Sequence, residues 1–179
     1  MPGVRSIQSF NDIERLKSRA QVISDTVSDE NVVDALESSH RMLQSQLGDS
    51  VEEHFRKGGK EFEVTLKPVL AVKKVTINGV ETNNYDKDLQ AGVITLDEET
   101  NDKVKIRYTP TIFKDIELDL AVKNIMQWQR VQNPTGEQET ELERIEKEIN
   151  ATMKRILNSV DRVFGTPSYY PRRQNNNGN

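Results

Sequence analysis

The chain has 179 residues, no cysteine, and a net charge of -4 with both signs interspersed. Its apolar share is 34%, about 39% with the nine glycines, which is below the roughly 45–50% of ordinary globular chains and predicts a thin core. This composition excludes disulfides, thiolate metal sites and a cysteine nucleophile, and it disfavours binding by phosphate neutralisation. No apolar run approaches the ~18–20 residues of a membrane span, and the N-terminus lacks the apolar segment of a secretory signal. The sequence therefore predicts a soluble protein made in the cytosol, with no membrane partner.

Apolar residues at Ile7, Phe10, Ile13, Leu16, Ala20 and Ile23 advance by three or four and predict a first helix. Ser9 or Asn11 could cap a slightly later start. A second helix is better punctuated. Ser28 is its N-cap, Asp29 and Glu30 occupy the first turn, and Val27 and Val32 are spaced for a hydrophobic staple. Its stripe runs through Val33, Leu36, His40, Leu43 and Leu47 to a stop at Gly48.

Residues 49–60 read as a connector ending in a flexible Gly58-Gly59 pair. The period then changes to two, with Phe62, Val64 and Leu66 alternating with polar residues as in a half-buried strand. Pro68 ends that strand or marks an edge, and Val69 to Ile77 is a second strand. Asn78-Gly79 is a type I′ hairpin signal, and Val93–Leu96 and Val104–Tyr108 supply two further strands.

Helical patterning resumes after Pro110. From Ile112 to about Val131 the apolar residues cover much of the circumference, which predicts a central helix buried on several sides. Asn133-Pro134-Thr135-Gly136 is a turn, and Thr140 with Glu143 fits a capping box for the next helix. That helix carries Leu142, Ile145, Ile149, Met153, Ile156, Val160 and Phe164, and Gly165 and Pro167 end it. These elements predict an α+β chain, mainly an α-helical bundle of about four helices with an inserted antiparallel β-meander. Residues 1–60 hold the N-terminal helices and connector, 61–110 the meander, 111–165 the C-terminal helical pair that completes the bundle, and 166–179 a flexible or partner-docking tail.

Catalytic constellations are missing from the sequence, which predicts no enzyme, no cofactor and no metal. His40 and His54 are the only histidines, and their spacing matches no metal-binding helix. His40 lies on the inner stripe of its helix and is expected in a packing or hydrogen-bonded role. His54 is expected to be solvated. Asp97-Glu98-Glu99 lacks the alternating donors of a calcium loop and reads as a solvated hairpin end. The tail is unusual in joining Tyr169, Tyr170, Pro171, Arg172 and Arg173 with no nearby acid. Tyr and Arg are favoured at interface hot spots, and an extended peptide can dock in a groove or on a sheet edge. An idle chain end fits equally well.

The order helix, helix, strands, long helix, helix resembles the head-to-tail adaptor (connector) proteins of long-tailed phages. The resemblance rests on Lys67-Pro68-Val69, the Val75 to Gly79 turn, Tyr85, the Gly92 to Leu96 strand and the Val104 to Tyr108 strand, together with the segment from Ser28 to Leu43. It runs from about Ser9 to Val160; the N-terminus and the tail depart from it. It implies a homo-oligomeric ring, usually of twelve subunits, beneath the portal protein in the virion neck. Such a ring extends the DNA channel, passes the genome without specific binding, and presents a platform for the next neck or tail protein. Seven acids against two bases from Glu81 to Lys103, a net of -5, would repel passing DNA if those turns, Asp97, Glu98 and Glu99 among them, face the channel. Solvated outer loops explain the same charge. Portal docking is the role expected of Tyr169 to Arg173 on this reading. Another neck component, a head- or tail-completion protein, is the nearest alternative. A helix-turn-helix DNA-binding regulator at residues 9–47, resting on Arg15, Lys17 and Arg19, is a further one, although Asp29-Glu30 would put acid against the groove.

Overall fold

The structure is a computed structural model and describes residues 9–11, 13–20, 27–132 and 136–164. Its helices are α1 (Ile13–Ala20), α2 (Asp29–Leu47), α3 (Ile112–Gln132) and α4 (Gly136–Ser159). Its strands are β1 (Ser50–Phe55), β2 (Gly59–Glu63), β3 (Val69–Ile77), β4 (Val80–Thr82), β5 (Tyr85–Asp88), β6 (Val93–Thr100), β7 (Val104–Pro110) and β8 (Arg162–Phe164).

The strands form two antiparallel sheets, one of five strands in the order β4-β3-β7-β1-β8 and one of three in the order β2-β6-β5. This corrects the expectation of a mainly helical bundle carrying a single inserted meander. The larger sheet draws β1 from the segment read as a connector and β8 from the segment read as the end of the last helix. Both strands were hidden for physical reasons. In β1 the inward positions are Val51, Glu53 and Phe55, and a buried glutamate interrupts the apolar alternation. Strand β8 is only three residues long, too short to show a period.

Strand β2 ends at Glu63, so Val64 and Leu66 are buried outside it rather than in the expected strand, whereas the ends of α2 are as expected. The Ser28 hydroxyl accepts from the Asn31 amide at 3.3 Å, and the Gly48 amide closes α2 onto the Gln44 carbonyl at 2.9 Å. Strand β3 spans Val69–Ile77. Asn78 and Gly79 turn it into β4 with φ of 50° and 86°, as a type I′ turn requires. Helix α4 begins at Gly136, so Thr140 lies inside it and not at its cap.

Register explains which faces meet. In the five-stranded sheet Val51 lies opposite Tyr108, Glu53 opposite Ile106, and Val75 also opposite Ile106, so these side chains share the inner face. In the three-stranded sheet Phe62 pairs with Ile94 on its inner face. The two inner faces touch where the Phe55 and Phe62 rings pack edge-on at 5.3 Å. Helices α2, α3 and α4 bury Leu36, Leu43, Phe113, Ile125 and Ile156 in the same core. Burial on several sides of α3 is borne out, since Phe113, Ile116, Leu118, Leu120 and Val122 are all covered.

Candidate functional site

Two carboxylates are buried inside this core, and they are the most concentrated polar chemistry among the described residues. Burying an unpaired carboxylate is costly, so each must be surrounded by donors.

Glu117 sits in the second turn of α3 between Ile116 and Leu118 and is 0% exposed. Five donor groups converge on it. The Ser9 hydroxyl donates at 2.9 Å, the Phe10 amide at 3.0 Å, the Asn11 amide at 3.0 Å and the Asn11 side-chain amide at 2.6 Å. The fifth is His40 Nδ1 on α2, 2.7 Å from Oε1. A carboxylate so surrounded acts as an acceptor only, which makes Nδ1 the protonated ring nitrogen. The Phe10 ring closes the cluster edge-on against His40, with centroids 4.8 Å apart. His40 is therefore a hydrogen-bonded core residue, as expected from its place on the stripe. Its partner was not anticipated.

Glu53 on β1 is the second. It accepts from the Thr65 amide at 2.9 Å, from the Thr65 hydroxyl at 2.7 Å and from the Tyr108 hydroxyl in a short bond. The Tyr108 oxygen in turn accepts from the Leu66 amide at 3.1 Å. This knot joins β1 and β7 of the large sheet to the segment leaving β2 of the small one. Burial first, then the hydrogen bond to Glu53 and its charge, pushes the Tyr108 hydroxyl far above its ordinary range. It is a fixed donor, not a proton shuttle.

Both oxygens of each carboxylate accept from donors of the protein. Among the described residues no group of three or more His, Asp or Glu could hold a metal ion. A shallow groove of about 300 Å³ lies where Thr65, Leu66 and Lys67 meet Ile112, Arg155 and Ser159. It contains neither buried carboxylate.

The sequence-derived candidates fall elsewhere. Asp97, Glu98 and Glu99 are exposed, but they belong to strand β6 and not to a turn. Tyr169, Tyr170, Pro171, Arg172 and Arg173 lie outside the described residues. His54 stands on β1 with its side chain partly exposed, its Nε2 2.7 Å from Glu52. Arg15 and Lys17 of α1 are turned to acids of the same chain. Arg15 meets Asp115 at 3.1 Å and Lys17 meets Asp29 at 2.6 Å. The Asp29 hydrogen bond holds the Lys17 ammonium above its ordinary range.

One charge pattern emerges only from the register. Glu61, Thr95 and Asp86 lie in line across β2-β6-β5, as do Glu63, Val93 and Asp88. Phe62 and Ile94 point inward between them, so the opposite face presents four exposed carboxylates on its two edge strands. The outer face of the five-stranded sheet is mixed, with Glu52 beside Arg107, and Arg107 beside Lys74. Acids of like sign on both edges also discourage edge-to-edge pairing of this sheet.

No protein-family model matches the chain, and no curated protein matches it significantly. Among the described residues no helix is long and apolar enough to cross a membrane.

Proposed function

We propose that this chain is a structural virion protein, a head-to-tail adaptor of a tailed phage. On this reading copies of it assemble as a ring below the portal, extend the DNA channel and carry the next neck or tail protein. The sequence resemblance supplies the family. The observation that carries the mechanism is the acidic outer face of the small sheet.

A channel for DNA must not grip phosphate. A face bearing Glu61, Asp86 and Asp88, with Glu63 beside them paired to Lys67 and with Asp97, Glu98 and Glu99 exposed further along β6, repels a polyanion over about a Debye length, ~8–10 Å at physiological ionic strength. The buried Glu53 knot ties the two sheets together, so the sheet body resists deformation as DNA passes. The pairing of Arg15 and Lys17 with acids of the chain weighs against the DNA-binding reading.

The test is a phage carrying Asp97→Lys, Glu98→Lys and Glu99→Lys together. Slower genome ejection from particles of normal assembly supports a channel-facing acidic strand; unchanged ejection from such particles removes it. The adaptor role itself is tested by a null allele of the gene. It predicts filled heads that never join tails, and a normal yield of joined particles would contradict it.

A further inference from the structure

Residues 9–11 and helix α1 are attached to the body in a lopsided way. Helix α1 is eight residues long, too short to hold its own fold in water. Its ion pairs, Arg15 with Asp115 and Lys17 with Asp29, lie at the surface, where such pairs hold little. Its apolar anchors are fully buried Leu16 and partly buried Phe10 and Ile13. Its hydrogen bonds are concentrated on one side chain: four of the five donors to Glu117 come from Ser9, Phe10 and Asn11. The Asn11 side-chain amide also reaches the Lys114 carbonyl at 2.8 Å.

We propose that residues 9–11 and helix α1 form a strap that opens as one unit while the sheets and α2–α4 stay folded, with Glu117 as its catch. The fixed half of the catch belongs entirely to the body. Glu117 and Phe113 stand on α3, and His40 holds the carboxylate from α2. When the strap lifts, water replaces its four donors and the His40 contact remains, so the carboxylate is not stranded. The uncovered socket then offers one carboxylate beside an imidazole and a phenyl ring. It is shaped for two successive backbone amides, the second belonging to an asparagine whose side-chain amide also reaches the carboxylate, preceded by a hydroxyl residue. This device does not depend on the adaptor reading.

Native-state hydrogen exchange on the full chain decides it. The hydrogen-bonded amides of Phe10, Asn11 and the second turn of α1 should exchange together, at least about tenfold faster than those of Ile116 to Met126, as low-stability units do. Asn11→Ala keeps the backbone donor and removes the side-chain one, together with its bond to the Lys114 carbonyl at the start of α3. It should speed that set by a further tenfold or so, the order expected for lost hydrogen bonds to a charged group, and leave β1, β3 and β7 unchanged. Ser9→Ala should act in the same direction more weakly. Exchange of the strap at the rate of the α3 core would overturn the proposal. So would an Asn11→Ala variant that speeds all amides equally or none.

Discussion

Replacing Tyr108 by phenylalanine removes a single oxygen from the protein interior, and the structure specifies what that oxygen holds. It donates to the Glu53 carboxylate and accepts from the Leu66 amide at 3.1 Å. In Tyr108→Phe the carboxylate keeps both Thr65 donors, while the Leu66 amide has lost its acceptor. A hydrogen bond to a charged group contributes about 1.5–3 kcal/mol, and an orphaned buried donor costs about 1–3 kcal/mol. The two overlap, so the expected loss is about 2–4 kcal/mol. At roughly 2–4 °C per kcal/mol for a chain of this size, Tm should fall by about 5–15 °C. Urea unfolding followed by circular dichroism should show a lower midpoint at unchanged slope. Tyr85→Phe, at a half-exposed position, serves as control and should stay within about 0.5 kcal/mol. Because Glu53 and Tyr108 touch, Tyr108→Phe with Glu53→Gln should cost clearly less than the sum of the single changes. If Tyr108→Phe is as mild as Tyr85→Phe, or if the pair is additive, the knot does not join the sheets as described.

The same hydroxyl sets an alkaline limit. Its folded pKa is raised above the unfolded value of about 10, so its contribution is complete below that pH and declines as pH climbs beyond it. Stability measured from pH 9 to 11 should therefore fall more steeply in the native chain than in Tyr108→Phe; equal slopes would contradict the burial and Glu53 contact that cause the shift. A Cβ at Gly58 would stand 2.2 Å from the Thr100 carbonyl oxygen and 2.5 Å from the Asn101 Cα. Both are backbone atoms, so Gly58→Ala should destabilise by roughly 1–3 kcal/mol through overpacking, read from the urea midpoint. Ser28→Ala removes the cap of α2 and should cost about 0.5–2 kcal/mol in the same assay. Deleting residues 168–179 should weaken binding to purified portal if Tyr169 to Arg173 dock there, and leave the urea midpoint where it was.

Much of the helical half was legible because its signals are local. Ser28, Gly48 and the stripe from Leu36 to Leu47 specify α2 within one segment, and β3 with Asn78-Gly79 is equally self-contained. The sheets were legible only in part. Strand β1 carries Glu53 inward where an alternation search expects an apolar residue, and its burial makes sense only once Thr65 and Tyr108 arrive from 12 and 55 residues away. Strand β5, Tyr-Asp-Lys-Asp, is too polar to resemble a strand, yet β6 beside it fixes its register. Gly58 looked flexible in sequence and is confined by the backbone of the β6–β7 turn. Glu117 left one readable trace: an acid between Ile116 and Leu118, in a helix whose apolar residues surround it. The acidic face of the small sheet left none, because Glu61, Glu63, Asp86 and Asp88 come together only through pairing with β6.

The adaptor reading is tested most directly by mixing the full chain with purified portal rings of the same phage and weighing the products. The account predicts a discrete complex in which many copies of the chain, of order twelve, are bound to each portal and form a ring at one end. Portal rings that remain bare at saturating chain concentration, while another neck protein binds them, would contradict it.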